Sequence, residues 1–395
     1  MTSRQSRYAE AGVDVTKAGI EVFRSTVKNL FPSAFCVIYP HPTRPSYGKV
    51  LHVDGVGSKP VQSYLHFRET GDQRAFSWLA QDAIEMNLSD LLCVGARPTG
   101  FVDYVAVNGR KVPKQEFLTA LNDGFRDHLY TLETNGIHLP FVGGETADLP
   151  DQLRTVDVSV TIDGEVKLSH VIDGSKIQPG DIINGLRSGG GQTKYETQQN
   201  SGLQDNGITL VRRCLMLPDY VEKYPEIQDK EGDYYGRFRT DEFLPDLGMT
   251  VGEAIINPTR SYAPLIVQAL RQHRNDIHGM AFNSGGGQTK ILRIGQNVHY
   301  VKDDLPEPDP IFYLVQRESD EGWKEMHQGF NMGIGFDIVV PPQMERYMLR
   351  TAKELGIRAQ RTGFIEESPD TTRRENGNML TIKSRFGEFS YPQTA

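Results

Sequence analysis

The stretch GKVLHVD, residues 48–54, is an apolar run that ends on an acid and empties into the small-residue turn DGVGSK. A buried strand that delivers an acidic group to a loop has this form. Helical periodicity follows. In WLAQDAIEMNLSD, Leu79, Ala83 and Met86 share one stripe, with Ala80, Ile84 and Leu88 beside it and Asp90 at the polar end. Leu118, Leu121, Phe125, Leu129 and Leu132 mark a second helix, stopped by Asn135-Gly136. TVDVSVTIDGEV then alternates Val156, Val158, Val160 and Ile162 with polar residues, predicting a half-buried strand at a sheet edge with Asp163-Gly164 as a turn. Strands and helices exchanged in this order point to an α/β (α+β) chain.

At 395 residues the chain exceeds the usual single-domain length, so two cores are expected. The turn-rich VIDGSKIQPGD breaks the pattern before IINGL begins again, which sets the expected boundary between domains 1–172 and 173–395. The second domain should hold a helix over residues 258–273, with Asn257 as N-cap and Pro258 at its first position, and another over 344–355 closed by Gly356. Residues 219–246 and 297–323, the latter including DDLPEPDP, read as irregular surface insertions whose acidity identifies no metal.

A net charge of −8 argues against a chain built to neutralise a nucleic-acid backbone and leaves small anionic substrates open. MTSRQSRYAE has no apolar signal core, and no run approaches the roughly 20 apolar residues that span a bilayer. A cytoplasmic protein without membrane partners is expected. Cys36, Cys93 and Cys214 have no paired spacing and read as packing thiols.

SGGGQTK occurs twice, at residues 188–194 and 284–290, too far apart for a solenoid period of about 20–50 residues. The flanks differ, so this is no domain duplication. Neither copy has the Gly-Lys-Ser/Thr order of a P-loop or the GxGxxG order. Consecutive glycines still let backbone N–H groups approach phosphate, with a neighbouring Lys adding charge; a flexible turn is the other reading.

DGVGSK, NLSDLLCVGARPTGFVDY and GGETADLP form acidic loops that could bring Asp54, Asp90, Asp103 and Glu145 together. Carboxylate oxygens of this kind suit Mg2+ shared with nucleotide phosphates, and Lys59 could meet the remaining phosphate charge. For Asp103 a loop cap, and for the glycines beside Glu145 a tight turn, explain the residues equally well.

With YAEAGVDV, MNLSDLLCVGARPTGFVDYVA, VIDGSKIQPGD, NGITLVR, INPTRSYAPL and FNMGIGFDIVVP added in the same order, the chain resembles the aminoimidazole ribonucleotide synthetase (phosphoribosylformylglycinamidine cyclo-ligase) family over about residues 8–341. The resemblance implies two domains of mixed sheets flanked by helices, the first giving a sheet to a homodimer and binding ATP, the second binding substrate phosphate. It makes Lys59 and Asp90 catalytic, and Asp54, Gly55, Gly57, Lys59, Asp103, Gly143, Gly144, Glu145 and Thr146 the ATP-binding set. Asp54, Asp90 and Glu145 become the Mg2+ ligands, and Asn206, Gly207, Gly285, Gly286 and Gly287 the substrate cradle. Dependence on a monovalent cation stays open.

Arg212, Thr259 and Arg260 match family motifs, with ion pairing or capping as their plainer roles; His170 and His278 read as packing or surface residues. Ser89, Asp148 and SAFCVIYPHP depart from the usual pattern and suggest a divergent branch. The implied reaction is ATP-dependent ring closure of formylglycinamidine ribonucleotide. Related ATP-dependent kinases and synthetases, or an inactive nucleotide-binding relative, are the alternatives.

Overall fold

A computed structural model describes residues 7–10, 20–23, 26–228, 233–367 and 377–393. Of YAEAGVDV, only Tyr8, Ala9 and Glu10 fall within them, in the helical turn Arg7–Glu10; the rest of that motif lies outside the described residues.

The first sheet contains β1 (Tyr39–Pro40), β2 (Tyr47–Gly55), β3 (Arg97–Val107), β4 (Phe141–Asp148) and β5 (Val156–Lys167) in the order β1-β2-β5-β3-β4. β3 and β4 are parallel and the other pairs antiparallel. Alternation along β5 buries Val156, Val158, Val160 and Ile162 on the inner face, as the sequence pattern predicts. Its position differs from the expectation: β5 is the central strand, and it runs straight through Asp163-Gly164. Leu91 fills the space a side chain on Gly164 would need, so this glycine serves packing rather than a turn.

Helix α1 (Lys59–Thr70) leads into α2 (Arg74–Cys93), which lies against the inner face; α3 (Lys114–Thr134) packs on α2. Phe76 and Phe117 meet edge to face at 5.2 Å across the α2–α3 contact. The outer face of the sheet leaves Leu51, Val53, Val102, Tyr104 and Val142 exposed.

The second sheet begins after residues 168–181. It comprises β6 (Ile182–Arg187), β7 (Gly279–Phe282), β8 (His299–Lys302), β9 (Ile334–Val340), β10 (Ala359–Glu366), β11 (Met379–Ser384) and β12 (Gly387–Pro392), ordered β7-β9-β6-β10-β8-β11-β12. Around it stand α4 (Ile208–Leu215), α5 (Val251–Ile256), α6 (Ala263–His273), α7 (Pro310–Ser319) and α8 (Glu345–Leu355). The stop at Gly356 holds, with φ +81 at the cap of α8.

Three expectations change here. The helix placed at 258–273 starts only at Ala263, because Asn257 ends α5 and its side chain accepts from the Ser201 amide, leaving residues 258–262 as a non-helical link. Residues 297–323 are no surface insertion, since they supply β8, inside the second sheet, and all of α7. The described parts of residues 219–246, which are 219–228 and 233–246, dock on α1: Glu69 receives Lys223 and Tyr224 at 2.6 Å each, Tyr64 bonds Glu226, and Thr240 meets Gln62 and His66. The insertion therefore straps the second half to the first.

Candidate active site

The sheet register determines which acidic groups meet. Asp54, the penultimate residue of β2, faces inward, and Asp90 lies in the last turn of α2 rather than in a loop. His52 joins them: its Nε2 is 3.2 Å from Asp90 Oδ2, its Nδ1 is 2.8 Å from Asn87 Oδ1, and the Asn87 amide donates to the Asp54 carbonyl at 3.1 Å. Asp54 is solvent-exposed at the strand end, yet desolvation by the surrounding protein raises its carboxyl above the usual range and the charge of Asp90 adds to that. Burial also works to raise Asp90, but His52, Lys290 and Arg293 more than offset it and hold that carboxyl low. For His52, burial opposes the cation and Asp90 overcomes it, so the imidazole titrates above its ordinary value.

Asp90 Oδ1 is buried without a hydrogen-bond partner among the described residues. An orphaned carboxylate oxygen beside a second acid suits a hard cation, so the pair fits Mg2+. No group of three or more His, Cys, Asp or Glu is placed to hold a metal among the described residues. Two side chains, with phosphate oxygens completing the shell, are therefore the set on offer.

Glu145 does not join them. GGETADLP is largely the exposed edge strand β4, and the parallel register sets Glu145 beside Tyr104 and Gly143 beside Val102 on the outer face. Asp103 pairs with Gly144 on the inner face, in the same row as Asp54 with Val160 between them, roughly 10 Å away by strand spacing. A side chain on Gly144 would collide with the Asp103 carboxylate. Thr146 follows on the inner side of the edge strand.

Lys59 is also placed unexpectedly. Its ammonium is sealed from solvent, donating to Asp82 Oδ1 at 2.7 Å and to the Asn257 carbonyl at 2.9 Å. Asp82 in turn accepts the Thr259 amide and hydroxyl at 2.8 and 2.7 Å. This buried network ties the first helix to NPTRSY instead of presenting a cation to phosphate.

The second half brings its glycine cluster to the acids. Gly286, with φ +100, caps the turn Gly287–Arg293; open space surrounds Gly285, and the electrostatic reach of Lys290 extends to Asp54 and Asp90. Gly287 is packed against the Phe330 backbone and is less accessible. Asn206 donates to the Asn283 carbonyl at 3.0 Å and leaves its own Oδ1 without a hydrogen-bond partner among the described residues. Gly207 has φ +67 and a methyl on it would stand 2.1 Å from the Phe330 ring, which explains glycine there. Ser58 of the DGVGSK turn, which holds Gly55 and Gly57, meets Thr209 at 2.8 Å, and Arg212 donates to the Ser58 carbonyl at 3.1 Å. The two motifs thus share one seam between the first and second halves of the chain.

The first SGGGQTK is built differently. The buried Arg260 guanidinium donates to the carbonyls of Gly189 and Gly191 at 3.1 and 2.8 Å and stands 3.2 Å from Glu196. Gly190 lies against Arg358. Its peptide oxygens face inward to a cation, an arrangement opposite to an anion cradle. His278 pairs with Asp181 at 2.7 Å and His170 sits in a surface turn, both away from the acids in sequence and role.

Sequence reasoning missed His52 and Asp82, while Lys290 is the Lys it set beside the second glycine cluster. The strand parity of His52 with Asp54 carried a signal; Asp82 depends on pairing between distant segments.

The signature "AIR synthase related protein, N-terminal domain" matches residues 34–166. The phosphoribosylformylglycinamidine cyclo-ligase of Methanocaldococcus jannaschii is 30% identical over 385 residues, 95% of this chain and 96% of that protein. The protein of the same name from Methanothermobacter thermautotrophicus is 32% identical over 84% of each. The solved structure of AaThiL complexed with AMPPCP and TMP has the same fold, with a TM-score of 0.52 at 12% identity over 94% of this chain and 95% of that one. With identity of this extent along nearly its whole length, the chain belongs to the phosphoribosylformylglycinamidine cyclo-ligase family.

Proposed function

We propose that the protein closes the imidazole ring of formylglycinamidine ribonucleotide, using ATP, in purine biosynthesis. The observation that carries this reading is that Lys290, which lies against the Gly286 turn, reaches both Asp54 and Asp90 electrostatically across the seam between the two halves. Two anionic substrates need an acidic cation site and a phosphate cradle side by side. The AMPPCP in the AaThiL structure supports a nucleotide in this fold.

A formamide oxygen is a poor leaving group. Transfer of the ATP γ-phosphoryl group to the formyl oxygen makes it a phosphate ester; the amidine nitrogen then attacks the formyl carbon, the C–O bond breaks and inorganic phosphate leaves. Bound Mg2+ would supply charge neutralisation for the transferring phosphoryl group. Asp54 and Asp90 would hold it, with His52 keeping Asp90 ionised and oriented. Backbone N–H groups at Gly285 and Gly286 and the Lys290 ammonium bind substrate phosphate. Holding the amidine near the formyl carbon turns ring closure into an oriented unimolecular step.

The exposed apolar outer face of the first sheet supports a homodimer packed through Leu51, Val53, Val102 and Tyr104. In that arrangement Glu145 faces the second copy, which is where its contribution to nucleotide binding would lie. No described helix is long and apolar enough to cross a membrane.

Purified protein with Mg-ATP and formylglycinamidine ribonucleotide should yield ADP and aminoimidazole ribonucleotide together. ADP without the imidazole product favours a kinase of the same fold, and neither product contradicts both readings.

A further inference from the structure

Asp205, immediately before the Asn206-Gly207 turn, has its side chain within the seam between the two halves, 1% exposed. Its Oδ1 stands 3.9 Å from the Lys59 ammonium and has no hydrogen-bond partner among the described residues. Its Oδ2 stands 4.0 Å from where a side chain on Gly57 would begin. The carboxyl is therefore wedged between the nucleotide-side turn DGVGSK and the substrate-side turn DNGIT. The charged groups that face it are Lys59 from α1, Asp82 from α2 and Asp54 from β2.

Lys59 has three N–H donors and directs two of them to Asp82 and the Asn257 carbonyl. One ammonium thus serves two dry carboxyls, and a third acid adds its field. A buried carboxylate without a full partner is strongly unfavourable, so the arrangement is relieved when one acid keeps its proton. Both acids keep one buried oxygen without a hydrogen-bond partner among the described residues, but Asp82 accepts from Lys59 and twice from Thr259, whereas Asp205 has only its longer contact with Lys59. Burial pushes its carboxyl far up, Asp82 and Asp54 push the same way, and Lys59 opposes them.

We propose that Asp205 is a positioning residue for the reaction: a neutral carboxylic acid that spaces the Gly57 turn from the Asn206 turn without adding negative charge where phosphates bind. An ionised carboxylate there would repel the nucleotide and compete with Asp82 for Lys59; a smaller group would let the two turns collapse together. The inference rests on the proposed function only for which ligand the seam receives.

The test compares full-length wild type with D205N and D205A by infrared difference spectroscopy and by Mg-ATP titration. Near neutral pH, the wild type should show a protonated-carboxyl C=O band that D205N lacks. D205N, neutral and nearly isosteric, should keep wild-type Mg-ATP affinity, while D205A loses about tenfold. A spectrum unchanged in D205N overturns the neutral acid, and D205N as weak as D205A overturns it by showing that the charge is needed. D205A with wild-type affinity removes the positioning role. The infrared band needs no substrate, so its outcome stands apart from whether the protein is a cyclo-ligase.

Discussion

Lys59 and Asp82 form an ion pair of 2.7 Å in which neither side chain reaches solvent. Because Asp82 also holds Thr259, the pair fastens α1 and α2 to the NPTRSY link. Removing one partner strands a buried charge, so Lys59→Met should cost about 3–5 kcal/mol in denaturant unfolding. Native-like stability combined with a selective loss of ATP affinity would instead return Lys59 to a phosphate-binding role.

Gly286 and Gly190 share φ +100, so alanine strains both, but their surroundings differ. A side chain on Gly286 would meet only Lys290 and Thr289 at ordinary contact distance, whereas Gly190 is pressed against Arg358. Gly286→Ala should raise the KM for the ribonucleotide substrate several-fold. Gly190→Ala should lower the melting midpoint and leave that KM unchanged. Equal KM effects would mean that both glycine clusters bind phosphate.

Of the four acids grouped from the sequence, the structure brings Asp54 and Asp90 near one another. Asp90 sits close enough to Asp54 to raise its carboxyl, and Val156, Val158, Val160 and Ile162 face the core as alternation requires. Glu145 was lost to a rule of parity: adjacent strand residues face opposite ways, and GGETADLP gives no alternating apolar signal that marks it as a strand. Lys59 misled for a different reason. A Lys after a glycine turn resembles a phosphate ligand, and only the fold supplies Asp82 and the Asn257 carbonyl that enclose it. Likewise, the acidic segment 219–246 looked like surface because its partners on α1 are far away in sequence.

That segment should loosen in acid. Burial raises the Glu69 carboxyl, but Lys223 and Tyr224 more than offset it, so its folded pKa lies below the ordinary value. A lowered carboxyl pKa stabilises the docked state above the unfolded pKa of about 4.3 and loses that effect as pH falls through the folded value. Hydrogen exchange in residues 219–228 should accelerate below about pH 4 before exchange in the second sheet does. Glu69→Gln should show fast exchange there at neutral pH as well; protection unchanged by this substitution would contradict the strap.

A dimer formed through the outer face of the first sheet predicts that Val53→Asp sediments as a monomer with its fold intact, since a charge would be buried at a 64% exposed apolar position. A wild type that is itself monomeric at micromolar concentration, or a mutant that remains dimeric, would rule out that face.

The most direct measurement uses formylglycinamidine ribonucleotide carrying a heavy-oxygen label in its formyl group, with Mg-ATP and either wild type or Asp90→Asn. The wild type should form ADP and aminoimidazole ribonucleotide in equal amounts, with the label recovered in inorganic phosphate. Asp90→Asn should fold normally and lose most of that turnover. Label released to water, or undiminished turnover in Asp90→Asn, would contradict the account.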